Sequence, residues 1–370
     1  MPSLSAELRA AAKVRIVYKD RDRHGKRIGP RMQLDRPVFI GGTGRSGTSI
    51  MANLLNSHAD FCLPVHENKL IVEHGGLRDI VENLSGRYEI NRLHAIIQGF
   101  LSRAQRMQQF GFPVPELNHR LNQLRDGQKL NFQQAFEIVQ RENPDIPGSI
   151  HAIGVRFGIE HYIACINAFL LRVVAHIAPD GIVGADGLLK PFFVARTFTR
   201  EAILAECGRF LDELYAQPVT AAGASRWIDD TPLNFVNFDF LHALYPKMKF
   251  IHMIRDPRDV ASSFINQTWF PSDQPLAVSV CAAMIRSYRA LKDSIPADSL
   301  LEVRLEDLVT KTDETMATVA AFLEVENRFD TKMISSDKAN IGRSRDFDAA
   351  LTGAVNRELG DWMRLQGYLE

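Results

Sequence analysis

Three things are scarce in this 370-residue chain, and each scarcity removes a class of explanation. Surplus charge is the first: 44 Lys and Arg stand against 44 Asp and Glu, so the electrostatic footprint of a general nucleic-acid binder is missing and any anion must be held by a local cluster. Long apolar runs are the second. No stretch reaches the ~20 residues a membrane span requires, and the best candidate, Tyr162 to Ala178, is broken by Asn167, Arg172 and His176, so it predicts a buried helix. Cysteine is the third. Cys62, Cys165, Cys207 and Cys281 are far apart and sit among apolar neighbours, which offers neither a CxxC metal pair nor a disulfide framework and predicts buried, reduced thiols. The residues up to Arg36 contain no apolar core or small-residue cleavage site of a secretory signal, so the expected location is cytoplasmic. With no HExxH and no carboxylate cluster, no metal site is expected.

What is present is ordinary for a soluble globular chain: 45% hydrophobic and 24% charged residues. The length suits one large α/β domain with insertions, or two modest ones. Residues 1–36 are a basic arm carrying Arg15, Lys19, Arg21, Arg23, Lys26, Arg27 and Arg31; 37–370 read as a single domain. Pro37-Val38-Phe39-Ile40 is a short apolar run bounded by glycine, the pattern of a buried parallel strand. Ser49 to Leu55 follows with apolar pairs one turn apart, an amphipathic helix. Phe61-Cys62-Leu63 reads as a second strand returning beside the first. Trp227-Ile228, Phe250 to Ile254 and Leu300 to Leu305 read as further core strands. Strand, glycine turn and helix in that order begin a βαβ unit, so the fold expected is α/β, a three-layer α/β/α sandwich around a central parallel sheet. Between about 85 and 225 helical periodicity dominates, which predicts a long helical insertion shaping a cavity.

Two segments carry chemistry. Gly41-Gly42-Thr43-Gly44-Arg45-Ser46-Gly47-Thr48-Ser49 lies between strand and helix, where backbone N–H groups and the helix dipole make an anion site. Against the nucleoside-triphosphatase pattern GxxxxGK[ST], Gly42, Gly47 and Ser49 fit, but Thr48 holds the lysine position. That disfavours an ATPase or kinase. Arg45 can supply the charge instead, and Ser46 and Thr48 offer hydroxyl donors to phosphate or sulfonate oxygens. Arg255-Asp256-Pro257-Arg258-Asp259 follows the Phe250–Ile254 strand. Proline after Asp256 predicts an N-cap and the first residue of a new helix, with Arg255 at the strand's carboxyl end, where open α/β sheets bind ligands.

Together, Gly44-Arg45-Ser46-Gly47-Thr48 and Arg255 with Ser263 eight residues later resemble the superfamily of sulfotransferases that use 3′-phosphoadenosine-5′-phosphosulfate (PAPS). The resemblance covers Pro37 to Glu67, Trp227 to Trp269, Val303 to Leu308 and Lys338 to Arg343; no motif matches about 85–225. It implies a fold like that of the P-loop nucleotide hydrolases. It further implies that Gly44, Arg45, Ser46, Gly47, Thr48 and Ser49 clasp the 5′-phosphosulfate, that Arg255 and Ser263 hold the 3′-phosphate, and that a late loop with Lys338, Asn340, Gly342 and Arg343 closes over the nucleotide. The motif style is closest to bacterial, glycan and tyrosylprotein members.

Sulfuryl transfer to a hydroxyl needs a base near the first loop. In the tyrosylprotein and glycan branches a glutamate soon after the second strand has that role, which points to Glu67, with His66 as its rival and Lys69 as a neighbouring cation. Trp227-Ile228-Asp229-Asp230-Thr231-Pro232 resembles a family segment in which a lysine is common where Asp230 stands. Asp229 is therefore a further candidate base, and Trp227 either stacks on adenine or fills core. The expected activity is transfer of sulfonate from PAPS to a hydroxyl of a carbohydrate, glycolipid or other small molecule, without a metal, nucleic acid or membrane span. The alternatives are a tyrosylprotein sulfotransferase, a P-loop nucleotide kinase and a catalytically inactive nucleotide-binding protein.

Overall fold

The computed structural model describes residues 33–108, 153–183, 188–267, 270–334, 341–342 and 349–369, with a few positions between 120 and 142. The basic arm up to residue 32, and Lys338, Asn340 and Arg343, lie outside the described residues. Two compact units are formed, one from Asp35–Leu63 with Ser225–Glu370, the other including Pro64–Ala224. The described strands in chain order are β1 (Val38–Gly42), β2 (Phe61–Cys62), β3 (Val174–Val183), β4 (Leu189–Ala195), β5 (Arg226–Asp229), β6 (Lys249–Ile254) and β7 (Leu300–Arg304).

In the first unit five strands form one sheet in the order β2-β5-β1-β6-β7, and every neighbouring pair is parallel. Period-two alternation assigns the faces. Val38, Ile40, Ile228, Ile251, Met253 and Val303 turn one way and pack on Met51, Leu54 and Leu55 of the Thr48–Asn56 helix and on Leu308, Met316, Val319 and Leu323 of the helices Leu305–Thr310 and Thr312–Leu323. Phe39, Phe250 and His252 turn the other way. There Phe39 meets Trp227 edge-on at 5.3 Å, Phe250 meets Phe238 at 5.5 Å, and His252 lies against Tyr288, itself 6.3 Å from Trp362. The helices Phe238–Leu244, Gln274–Lys292 and Ala349–Leu365 supply those partners. Helices thus cover both faces of a parallel sheet, and each fully buried aromatic or aliphatic side chain contributes roughly 1.5–3 kcal/mol.

One expectation is corrected here, and one open alternative is decided. Strand β2 does not return beside β1: it pairs with β5, Phe61 opposite Arg226 and Cys62 opposite Trp227, and β5 lies between it and β1. A two-residue strand carries no signal for its partner. Trp227 is fully buried and wedged between Phe39 and Tyr245, with the Tyr245 ring at 5.6 Å, so it fills core and is not a platform for adenine.

The second unit contains the helices Leu77–Leu84, Ile90–Arg106, Ile153–Phe157, Ile159–Val173 and Arg200–Ala221. Phe100, Phe169 and Phe210 form its aromatic centre, with ring centroids 5.0–6.0 Å apart. It begins at Pro64 rather than near 85, and it is not wholly helical. The helix expected to run to Ala178 stops at Val173, and β3 and β4 pair antiparallel from Val174–Ala195 out to Val183–Leu189. The reason is local: Val173, Val174 and Ile177 favour extended backbone, and Pro179 cannot continue a helix. A cavity of about 190 Å³ opens in this unit, lined mainly by apolar side chains such as Leu101, Ile166, Leu170 and Phe193, with Gln105 and Asn167 among them. All four cysteines are buried thiols; burial pushes the Cys62 pKa up to about 11, as suits unreactive core groups.

Candidate functional site

Strands β1 and β6 are neighbours in register, Gly42 opposite Met253, so the segments that follow them emerge side by side. The turn after β1 needs its glycines. A Cβ at Gly42 would collide with Ser46 Oγ and come within 2.6 Å of the Met253 carbonyl, and one at Gly47 would lie 2.7 Å from Leu305 Cδ1. Gly44 and Gly47 have φ of 75° and 93°, and Arg45 joins them in the left-handed region at 57°. For a residue with a Cβ that costs roughly 1–2 kcal/mol, and such strain persists only where the surroundings over-determine it. Here they do: Arg45 Nε donates to Ser263 Oγ at 3.0 Å, and the Arg45 carbonyl accepts from Arg255 Nη1 at 2.8 Å.

The Thr48–Asn56 helix starts without a capping side chain and without an acidic residue in its first turn. Its first N–H groups and the positive end of its dipole therefore face an anion-compatible mouth. Ser46 is fully buried, and its hydroxyl has no hydrogen-bond partner among the described residues. An unpaired buried hydroxyl costs roughly 1–3 kcal/mol, and a phosphate or sulfonate oxygen is the partner this donor fits. Thr48 is buried beside it and Ser49 is exposed.

The second motif folds as expected. Asp256 caps the Pro257–Ile265 helix, accepting from the Arg258 N–H at 2.9 Å, with Pro257 at the first helical position. Arg258 folds back on the same carboxylate, Nη2 to Oδ2 at 2.6 Å, and is thereby committed to the turn. Arg255 is only 6% exposed. Besides the Arg45 carbonyl it faces Asp259, Nη2 to Oδ2 at 3.6 Å, and that oxygen also accepts the Gly342 N–H at 2.7 Å. Ser263 lies four residues beyond Asp259, on the same helix face. The structure so brings together Arg45, Ser46, Arg255, Asp259, Ser263 and Gly342.

Sequence reasoning missed Glu306. Its Oε1 accepts the Asp256 N–H at 3.0 Å, a contact across the β6–β7 neighbourhood that only strand order reveals. Asp229, a candidate base, is fully buried, and its Oδ1 accepts from the Thr231 N–H at 3.2 Å and from Asn234 Nδ2 at 2.7 Å. Asn234 also donates to the Ile40 carbonyl at 3.1 Å. Asp229 therefore fastens the turn after β5 to β1. Asp230 is fully buried beside it.

Glu67 and His66 belong to the other unit, and both are half-buried. Glu67 has φ 51°, a second side-chain-bearing residue held left-handed. Its carboxylate lies 3.6 Å from Lys69 Nζ, which is also 3.8 Å from Glu73, and Arg103 donates to Glu73 at 3.0 Å. Asn68 pins the segment from inside: Nδ2 donates to the Tyr215 hydroxyl at 3.0 Å, and Oδ1 accepts from the Leu70 N–H at 3.1 Å. His58 and His161 have structural partners, His58 between Phe61 and Phe329, His161 Nε2 at 3.1 Å from the Leu214 carbonyl. Among the described residues no group of three or more His, Cys, Asp or Glu is placed to hold a metal, and no helix is long and apolar enough to cross a membrane.

Comparison with known proteins bears on the same segments. The model of the Sulfotransferase family matches residues 193–330, a stretch that contains Arg255 and Ser263, while the glycine loop lies before it. The nodulation protein NoeE of Sinorhizobium fredii (strain NBRC 101917 / NGR234) is 33% identical over 135 residues. That match covers 31% of this chain, which thus spans about a third, 32%, of the relative's length. Among solved structures, the sulfotransferase domain from the Synechococcus PCC 7002 olefin synthase gives a TM-score of 0.43 at 16% identity, covering 90% of this chain and 97% of that one. Sulfotransferase STF9 from Mycobacterium avium gives 0.39 at 11% identity, covering 91% and 77%. The stretch similar to the Sulfotransferase family runs from the end of β4 through β5 and the Arg255–Ser263 turn to β7 and the helices after it.

Proposed function

We propose that the chain is a cytoplasmic sulfotransferase that takes PAPS as sulfonate donor and a hydroxyl of a carbohydrate, glycolipid or other small molecule as acceptor. One observation carries the reading: Arg45 Nε donates to Ser263 Oγ while the Arg45 carbonyl accepts from Arg255. A cationic glycine loop and an arginine–serine pair are built as one surface, which suits a nucleotide bearing anionic groups at both ends of its ribose. The lysine that a triphosphate loop uses is absent, Thr48 standing there.

In this reading Gly44, Arg45, Ser46, Gly47, Thr48 and Ser49 hold the 5′-phosphosulfate. Arg255 and Ser263 take the 3′-phosphate, and the loop of Lys338, Gly342 and Arg343 closes over the nucleotide; the Gly342 N–H on Asp259 supports that placement. PAPS, when bound, supplies an activated sulfonyl group. The sulfur–oxygen bond to the phosphate breaks as the acceptor oxygen forms its bond to sulfur. Arg45 and the loop N–H groups meet the charge that grows on the departing phosphate oxygen. The acceptor's proton passes to Glu67, with His66 as the rival base and Lys69 as a fixed counter-charge at 3.6 Å. Catalysis is then mostly positioning and charge stabilisation, as in phosphoryl transfer.

The test is transfer of radiosulfur from labelled PAPS to a cell extract, read by mass spectrometry, with wild type and Glu67→Gln side by side. Wild type is expected to label a hydroxyl-bearing product, and Glu67→Gln to lose transfer while keeping nucleotide binding. Transfer undiminished in Glu67→Gln would remove that residue from the role, and no labelled product with wild type would remove the activity.

A further inference from the structure

The turn that aims Arg255 is almost fully constrained by its own sequence. Pro257 fixes φ at its own position and keeps Asp256 extended, as found, with φ −50° and ψ 118°. One freedom remains, the plane of the Arg255–Asp256 peptide, which sets how Arg255 is joined to the helix that carries Asp259 and Ser263, and so how its guanidinium meets them. The Asp256 N–H belongs to that peptide, and it donates to Glu306 Oε1 at 3.0 Å. Glu306 is oriented in its turn by Tyr368, whose hydroxyl donates to Oε2 at 2.7 Å. The Tyr368 carbonyl accepts from Arg258 Nη2 at 3.2 Å, which steadies the guanidinium that clasps the Asp256 carboxylate.

Tyr368 is itself delivered by a defined turn. The Ala349–Leu365 helix ends with the Gly367 N–H on the Arg364 carbonyl at 3.0 Å and the Tyr368 N–H on the Met363 carbonyl at 2.7 Å. Gly367 has φ 72°, so this is the two-bond glycine cap that reverses a chain at a helix end. The reversal lays the Tyr368 ring against Arg304, whose guanidinium carbon is 4.4 Å from the ring centroid. Burial first, and then the Glu306 carboxylate, push the phenol pKa up, so the hydroxyl stays a donor.

We propose that Tyr368 is a positioning residue for the 3′-phosphate site: through Glu306 it fixes the Arg255–Asp256 peptide and hence the aim of Arg255. This rests on the function proposed above and extends it to a residue outside both motifs.

Calorimetric titration of 3′-phosphoadenosine-5′-phosphate and of AMP into wild type, Tyr368→Phe, Glu306→Ala and the double variant tests it. Phenylalanine keeps the ring over Arg304 and removes only the hydroxyl. The bisphosphate should weaken on the order of tenfold in Tyr368→Phe, the scale of one hydrogen bond to a carboxylate, while AMP changes by less than about twofold. Glu306→Ala should show the same selective loss, and Tyr368→Phe should add nothing on top of it, because both act through one contact. Should Glu306→Ala fail to fold, Tyr368→Phe alone decides. Equal losses for the two nucleotides, no loss, or additive losses overturn the positioning role. A wild-type chain that ignores the bisphosphate overturns the function and this inference together, whereas tight wild-type binding with an indifferent Tyr368→Phe overturns the inference alone.

Discussion

Replacing Arg255 by alanine removes two things at once, and the structure allows them to be separated. The first is internal. Arg255 faces the buried Asp259 at 3.6 Å and donates to the Arg45 carbonyl at 2.8 Å. Removing one partner of a buried ion pair costs roughly 3–5 kcal/mol; because the Gly342 N–H still meets Asp259 at 2.7 Å, the loss should fall at about the lower end of that range. Adding Asp259→Asn removes the stranded charge and should recover about half of the loss. The second is the ligand contact. A charge-assisted hydrogen bond is worth roughly 1.5–3 kcal/mol, and about 1.4 kcal/mol is tenfold in affinity. The bisphosphate should therefore weaken by about 10- to 100-fold in Arg255→Ala and in the double variant alike, with AMP nearly unchanged. Urea unfolding gives the stabilities and calorimetry the affinities. Equal weakening of both nucleotides, or recovery of bisphosphate affinity by Asp259→Asn, would refute the assignment of Arg255 to a 3′-phosphate.

Arg45 should separate strain from chemistry. Arg45→Gly relieves the left-handed backbone at φ 57° and should be more stable than Arg45→Ala by about 1 kcal/mol in thermal unfolding, whereas equal stability would mean the strain is not felt. Both should lose turnover more than donor affinity, since Arg45 is assigned to charge formed in the transition state; an unchanged turnover number with a raised Michaelis constant would reassign it to ground-state binding. Acid stability should depend on Glu302. Burial works against its ionised form, but the nearby His252 ring, Nδ1 at 3.5 Å, and hydrogen bonds from Lys292 and Tyr288 outweigh that and hold its pKa to about 2, from an ordinary 4.5. Because the folded pKa is depressed, its contribution is present above pH 4.5 and lost as pH falls from there towards 2. The stake is about 3 kcal/mol. Glu302→Gln should flatten the fall in urea midpoint over that window, and an unaltered slope would dismiss the network.

What could be read from the sequence was whatever is local. The apolar runs at Val38 and Phe250 became β1 and β6, because a strand buried on both faces must be apolar throughout. Asp256-Pro257 became a cap and first helical residue, since those residue types suit those positions for backbone reasons alone. The family resemblance implies that Arg255 and Ser263 share one phosphate, but their joint hold on Arg45 depends on β1 and β6 being neighbours, which pairing at long range decides. For the same reason the partner of β2, the burial of Trp227 and the role of Asp229 in its turn were beyond a one-dimensional reading. The β3–β4 hairpin was hidden because Val173 and Val174 continue an apolar pattern that the helix and the strand share. Glu306 lies in a matched segment that assigned it no role, and Tyr368 lies in no motif: their importance is a matter of what each reaches, Glu306 the Asp256 N–H and Tyr368 the Glu306 carboxylate.

The central claim is that two joined cationic cradles hold one adenosine phosphorylated at both its 3′ and 5′ positions. Calorimetry on the wild-type chain addresses it directly, with 3′-phosphoadenosine-5′-phosphate, AMP and ATP with magnesium as titrants. The account predicts one site per chain, the bisphosphate bound about 10- to 100-fold more tightly than AMP, and no preference for ATP with magnesium. Indifference between the bisphosphate and AMP, or a preference for ATP with magnesium, would contradict it.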